Sequence, residues 1–434
     1  MKRDTSIAAV KGRRVWDSRG RPTVEVEVAL AGGARGRAIA PAGASRGRHE
    51  AVDLRDGGGP LGGMGVERAV ANVNGPIARA LAGMDAREQA AVDAALIALD
   101  GTPDKSKLGG NATVATSLAV LHAAAAAGGE PLWRHLAAGG PVTLPLPEIQ
   151  IFGGGAHAGR RVDIQDFMVM PVGAASFAQA LEMTAEVYRA AGELMGAAGK
   201  LAGVADEGGW WPAFGTNEEA LDWLVRAIER AGFAPGSDLA ISLDVAASEF
   251  GRSGRYRLGL EGRSIDADGM IEMLLGWTAR YPIVSIEDPL AEDDASGMAR
   301  FTRATAGRLQ VIGDDFLVTS AARVASAAAQ GACNAALIKP NQAGTVTETK
   351  AALDAARRAG WATVVSARSG ETEDVSIAHL AVGWSAGQLK VGSFARSERM
   401  AKWNEVLRIE DALGGGARYA GRAALAAAQP TRPA

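Results

Sequence analysis

The chain has 434 residues, more than one ordinary domain uses and enough for a small domain joined to a large barrel. It is 47% hydrophobic and 22% charged, so a sizeable core can be buried. A formal net charge of −3, with no basic face or polybasic run, argues against nucleic acid or a membrane surface as partner.

The start, Met1-Lys2-Arg3-Asp4, leads into an alternating strand pattern rather than the apolar core of a signal peptide. No stretch approaches the roughly 20 apolar residues of a membrane helix, so the cytoplasm is the default location. Val24-Glu25-Val26-Glu27-Val28 alternates with period two, and Ala38-Ile39-Ala40 continues a second strand past the turn at Gly32-Gly33. The Gly-rich stretch from Gly57 to Gly65 precedes predicted helices near 66–82, 86–99 and 111–127, the order of a small α+β domain over 1–138. Its notable loops are Asp17-Ser18-Arg19-Gly20 and Ala42-Gly43-Ala44-Ser45-Arg46-Gly47.

Pro141 to Pro147 reads as a linker, and a different rhythm fills 139–420. Short apolar runs recur at Ile164–Met170, Leu239–Asp244, Ile283–Glu287, Leu309–Asp314, Ala335–Lys339, Ala362–Ala367 and Gln388–Gly392. Helices are predicted between them at 176–199, 216–231, 268–280, 319–330, 345–359 and 372–383. Such alternation indicates a parallel α/β barrel or an open sheet. Asp244, Glu287, Asp314 and Lys339 each end an apolar run, and only in a barrel do consecutive strand ends converge on one mouth. The fold class is therefore α/β: a small N-terminal α+β domain followed by a barrel. The single cysteine, Cys333, cannot form an internal disulfide and reads as a small buried residue. The segment 421–434 reads as a loosely ordered tail.

Three carboxylates at successive strand ends make an oxygen-rich site suited to a hard cation such as Mg²⁺. For any one of them a structural salt bridge is the simpler reading, but three together with a strand-end lysine make it a poor one. A buried lysine shifts down in pKa and becomes a useful base, and a divalent cation is a natural stabiliser of the enediolate left by α-proton removal.

Asp206-Glu207-Gly208-Gly209, Ser285-Ile286-Glu287-Asp288-Pro289, Gly313-Asp314-Asp315, Ile338-Lys339-Pro340-Asn341-Gln342, Arg368-Ser369-Gly370-Glu371-Thr372-Glu373-Asp374 and Lys390-Val391-Gly392, in this order and spacing, resemble enolase. The resemblance runs from Asp17 to Glu410. It implies Asp244, Glu287 and Asp314 as ligands of a first Mg²⁺, with Ser45 contributing to a second together with the substrate phosphate. It further implies Lys339 as the base, Glu207 as the carboxylate assisting the leaving group, Lys390 on the substrate carboxylate, and Arg368 and Ser369 on the phosphate. His157, Gln165 and Asp166 match substrate-facing positions at the same mouth; His157 rests on its motif, since a lone histidine is more often structural. A homodimer or higher homo-oligomer is implied as well.

The departures from the family pattern cluster. The histidine usual before Arg-Ser-Gly-Glu is Ala367, and the glutamate of Gln-Glu-Phe-Met is Asp166. The mobile loop carries Arg46, a second loop carries Arg160-Arg161, and Trp210-Trp211 follow Asp-Glu-Gly-Gly. Metal ligands, base and anion clamps are kept, whereas the leaving-hydroxyl side is altered. General-acid assistance is commonly worth about 10²–10⁴-fold, so losing it matters wherever water is expelled. Loop arginines are plain solvated surface or extra contacts for a phosphorylated or phosphonylated carboxylate substrate. The pattern suits an enolpyruvate-forming synthase such as the carboxyphosphonoenolpyruvate synthases of phosphinate pathways. The alternatives are an ordinary enolase, converting 2-phosphoglycerate to phosphoenolpyruvate, and a noncatalytic paralogue.

Overall fold

A computed structural model describes residues 4–44 and 47–425. Strands β1 (Ile7–Trp16), β2 (Pro22–Leu30) and β3 (Arg35–Ile39) form an antiparallel sheet in the order β1-β2-β3. Its inner face lies on the helix Gly110–Gly128, which is buried along most of its length between this sheet and the barrel. Alanine makes that approach possible on the helix side and Gly36 on the strand side. A Cβ at Gly36 would stand 2.2 Å from Ala119 O and 2.2 Å from Ala123 N, so no side chain fits there. The helix predicted over 66–82 is present as Glu67–Leu81, with one π-type turn at Val73–Ile77. Pro76 lies inside that turn; it has no N–H to give and its ring crowds the preceding turn, so the ladder loosens there.

The barrel is closed, in the order β10-β11-β12-β13-β14-β4-β5-β6. Its strands are β4 (Leu146–Gly153), β5 (Asp166–Met170), β6 (Ala240–Asp244), β10 (Ile283–Glu287), β11 (Gln310–Gly313), β12 (Ala335–Ile338), β13 (Ala362–Ser366) and β14 (Gly387–Ser393). The small strands β7 (Gly251–Arg252), β8 (Arg255–Leu258) and β9 (Arg263–Asp266) make a separate sheet after β6. All barrel pairings are parallel except those of β5, which is antiparallel to β4 and β6. The connections explain the exception. Between β4 and β5 there is only a loop with one 3₁₀ turn, so the chain doubles back. Between β5 and β6 two helices packed on each other, Phe177–Ala197 and Asn217–Arg230, reverse it once more.

Strand β4 falls partly in the stretch that reads as a linker, because Pro145, Pro147, Glu148 and Gln150 hide its pattern. The barrel interior explains those polar residues. Glu148, Gln150, Ser242, Ser285, Gln310 and Gln388 are all fully buried within strands, where branched apolar side chains are the norm. Cys333 is buried, as its surroundings in the sequence imply. Of the tail expected to be loose over 421–434, residues 421–425 are built in and 426–434 lie outside the described residues. Gly421–Ala424 form a 3₁₀ turn, and Leu425 packs against Leu146, Met170 and Ala240, closing the end of the barrel opposite the strand-end carboxylates. No helix among the described residues is long and apolar enough to cross a membrane.

Candidate active site

Asp244 and Glu287 are the last residues of β6 and β10, paired in register; Asp314 follows β11 and Lys339 follows β12. All four are buried, as is Lys390 on β14. The Lys390 ammonium lies 2.8 Å from Asp244 Oδ2, 2.8 Å from Glu287 Oε2 and 3.5 Å from Asp166 Oδ2. Lys339 Nζ donates to Asp314 Oδ2, and Gln342 Nε2 donates to Asp314 Oδ1 at 2.8 Å. Gln165 Nε2 donates to Asp244 Oδ2 at 3.0 Å. Lys390 therefore bridges two of the three carboxylates, and Lys339 takes the third.

These charges decide the protonation states. Burial presses the Lys339 amine downward, but Asp314 outweighs it and holds the amine above the usual lysine range. The downward shift expected from burial alone is thus reversed by a neighbour that the sequence places 25 residues away. Glu287 is pushed well above the usual carboxylate range, first by burial and then by Asp244. Asp288 is raised to about 8, by burial and then by Asp314; it accepts hydrogen bonds from the backbone N–H groups of Asp314 and Asp315 at 2.9 and 2.8 Å. One carboxylate oxygen of Glu287, Oε1, is buried with no hydrogen-bond partner among the described residues. An orphaned oxygen beside a second buried carboxylate is the environment that a hard divalent cation relieves, and the donors of Asp244, Glu287 and Asp314 are all oxygen, the chemistry Mg²⁺ takes; among the described residues the acidic groups whose oxygens lie within 4.8 Å of one another are Asp288, Asp314 and Asp315.

On the opposite side Arg368 and Ser369 follow β13. Arg368 reaches into the N-terminal domain, where its guanidinium meets Glu50 at 2.9 and 3.2 Å, and also touches Asn341 at 3.2 Å. The segment is pinned from outside. Ala42 and Gly370 exchange backbone hydrogen bonds of 2.9 and 2.8 Å, and a Cβ on Gly370 would stand 2.3 Å from Asp17 Oδ2. Asp17 in turn accepts from the N–H groups of Arg19 and Arg21, so the Asp17-Ser18-Arg19-Gly20 motif forms a turn that supports the Arg368-Ser369-Gly370 segment. Ser45 and Arg46 lie outside the described residues.

The third side holds His157, Asp166, Glu207 and Ala367. His157, on the 3₁₀ turn Gly155–Ala158, has its Nε2 3.8 Å from both Asp166 Oδ1 and Glu207 Oε1, and its Nδ1 3.5 Å from Ser369 Oγ. Gln150 bridges the two carboxylate elements. Its Nε2 donates to Asp166 Oδ1, and its Oε1 accepts from Gly209 N at 2.9 Å, within the Asp206–Gly209 turn. Burial raises Asp166 to about 6. Burial also presses Glu207 upward, but His157 and Arg399 outweigh it and hold Glu207 below the usual range. The two carboxyl groups are thus driven apart, the usual mark of an acid and an ionised partner sharing one site.

Trp210 is not a wall of this hollow: it stacks on Tyr188 at 4.7 Å and its Nε1 donates to Tyr188 O at 2.9 Å, in space left free by Gly192. Arg160 is engaged at the surface by Glu249 at 2.8 Å, and Arg161 is exposed. Residues that sequence reading passed over are Glu50, Gln150, Asp288, Asp315, Gln342 and Arg399. Asp288, Asp315 and Gln342 stood inside quoted motifs; Glu50 carried no signal.

Fold and site together define a capped α/β barrel with a buried carboxylate and lysine cluster at its mouth. The sequence matches the family described as "Enolase, N-terminal domain" over residues 7–136 and that described as "Enolase, C-terminal TIM barrel domain" over residues 141–428. The chain belongs to the enolase family.

Proposed function

We propose that the protein is a Mg²⁺-dependent enolpyruvate-forming enzyme. In this reading it removes the α-proton of a phosphorylated or phosphonylated carboxylate and expels water poorly, as in a carboxyphosphonoenolpyruvate synthase-like step. The observation that carries the reading is the combination at one mouth of an intact Lys339–Asp314 and Lys390–Asp244–Glu287 cluster with Ala367 beside His157 and Glu207.

In this reading Asp244, Glu287 and Asp314 hold the first Mg²⁺, and Ser45 with the substrate phosphate holds the second. Bound there, the cation would supply positive charge for the developing enediolate, and the carboxylates holding it are those that keep both lysines protonated. Lys390 then orients the substrate carboxylate, while Arg368 and Ser369 orient the phosphorus group. Lys339 removes the proton at the α-carbon. His157, Asp166 and Glu207 face the leaving side, where Ala367 offers a methyl group in place of a proton donor. A small-molecule substrate, a homodimeric state and a cytoplasmic location rest on the family likeness.

A second reading, dehydration of 2-phosphoglycerate, is favoured by His157 lying 3.8 Å from Glu207, since that pair retains a route for proton delivery. Steady-state assay with 2-phosphoglycerate, followed by phosphorus NMR with candidate phosphonates, separates the two. Turnover of 2-phosphoglycerate within the common range of about 1–10³ s⁻¹ would make this an ordinary enolase.

A further inference from the structure

Of the polar residues named above as fully buried within the barrel strands, Glu148 is the ionisable one, and the mechanism leaves it without a task. It is fully buried on β4, directly beside Lys390 in the β14–β4 register. Its Oε2 accepts from Ser242 Oγ at 2.9 Å, and its Oε1 has no hydrogen-bond partner among the described residues. No hydrogen bond joins it to Asp244, Glu287 or Asp314 among the described residues. Deeper polar groups are uncharged and satisfy one another: Gln310 and Gln388 bond mutually at 2.9 Å, and Gln310 also bonds Ser285 at 3.0 Å. A buried carboxyl with an unpaired oxygen costs the fold free energy.

Lys390 is compensated by Asp244 and Glu287, the two carboxylates that the proposed function assigns to a divalent cation. Resting on that assignment, we propose that Glu148 is a positioning residue: it becomes the buried counter-charge of Lys390 when the cation takes Asp244 and Glu287, and it releases its own proton to solvent in doing so. The O–H bond of the carboxyl breaks, the electron pair stays on the carboxylate, and the Lys390 ammonium keeps its proton and its place.

The surroundings push in one direction. Burial is the main influence keeping the proton on, raising the carboxyl to about 7; Lys390 opposes it and Asp244 assists it. Taking up the Asp244 charge removes the assisting influence, and freeing Lys390 strengthens the opposing one. The remaining charged neighbour on an adjacent strand is Asp166 on β5. On the outer side of β4, the helix Phe177–Ala197 carries Glu182, Glu186, Arg189 and Glu193 exposed to solvent, and Arg422 of the closing 3₁₀ turn bonds Gly236 O at the surface.

The test titrates the full chain with MgCl₂ alone, by calorimetry in two buffers of different ionisation enthalpy, from pH 6 to pH 8. Wild type, Glu148→Gln and Glu148→Met are compared, with far-UV dichroism to establish folding. Wild type is expected to release up to one proton more per Mg²⁺ bound than either variant. The ratio of dissociation constants, variant over wild type, is expected to rise with pH by up to about tenfold per unit. Equal proton release with a ratio independent of pH would assign Glu148 a purely structural role and overturn the inference while leaving the metal site standing. If neither variant folds, wild type decides alone, since a Mg²⁺ affinity independent of pH between 6 and 8 would also overturn it. No Mg²⁺ binding to wild type would overturn the inference and the metal assignment together.

Discussion

Lys339 donates a hydrogen bond to Asp314 between the ends of the neighbouring strands β12 and β11, and that pair keeps the residue proposed as the base in its charged form. The same logic governs Lys390 with Asp244 and Glu287. Three carboxylates and two lysines therefore form one electrostatic unit. Anything that takes the carboxylates changes what the lysines can do.

Asp244→Ala should abolish Mg²⁺-dependent thermal stabilisation. A ligand present at about 100 times its dissociation constant stabilises the folded state by roughly 2.7 kcal/mol, so the wild-type effect is measurable by thermal melting with and without Mg²⁺. An unchanged shift in the variant would remove Asp244 from the metal site.

Glu50→Ala should destabilise the protein by about 3–5 kcal/mol, because it strips a buried guanidinium of its main counter-charge. Arg368 and Glu50 are both buried and meet at 2.9 Å across the two domains. Urea unfolding reads the loss, and Glu50→Gln, which can still accept a hydrogen bond, should lose less. Equal stability of Glu50→Ala and wild type would show that the pair does not hold the domains together.

The metal-free protein should lose stability between about pH 4.5 and 7 through Glu148. The folded carboxyl holds its proton up to about 7, whereas an ordinary glutamate releases it near 4.5. In that window the native state binds the extra proton, so stability is fully present below 4.5 and falls as pH rises. One pKa unit is worth 1.36 kcal/mol, which bounds the effect at about 3 kcal/mol. Glu148→Gln should flatten this part of the stability curve measured by denaturant titration. An unaltered curve would mean that Glu148 titrates normally.

Much of this was readable in advance, for a physical reason. Strands β6, β10, β11 and β12 are apolar runs ended by a charge, and a closed barrel turns such endings into a shared mouth. Strand β4 was hidden by its own inward-facing Glu148 and Gln150, which break the apolar run. The helix Ser397–Leu413 was hidden in the same way, since Arg399 and Lys402 on its buried face bond carbonyls of Arg368, Val391 and Thr372. Glu50 and the state of Lys339 depend on which residues meet after folding, and neither local pattern nor burial alone contains that.

Restoring the leaving side should raise dehydration. Ala367→His combined with Asp166→Glu returns a proton-bearing ring and a longer carboxylate to the hollow shared with His157 and Glu207. General-acid assistance of about 10²–10⁴-fold sets the scale of the gain in 2-phosphoglycerate turnover. A double variant that folds, binds Mg²⁺ and dehydrates no faster than wild type would show that these two positions do not limit water loss.

The most direct test of the central claim is Mg²⁺-dependent exchange of the α-proton of 2-phosphoglycerate with solvent deuterium, followed by proton NMR. Enolate formation needs only the base and the cation, so exchange should proceed in wild type even where dehydration is slow, and should vanish in Lys339→Ala while Mg²⁺ binding persists. Exchange that continues at the wild-type rate in Lys339→Ala, or that never occurs in wild type, would contradict the account.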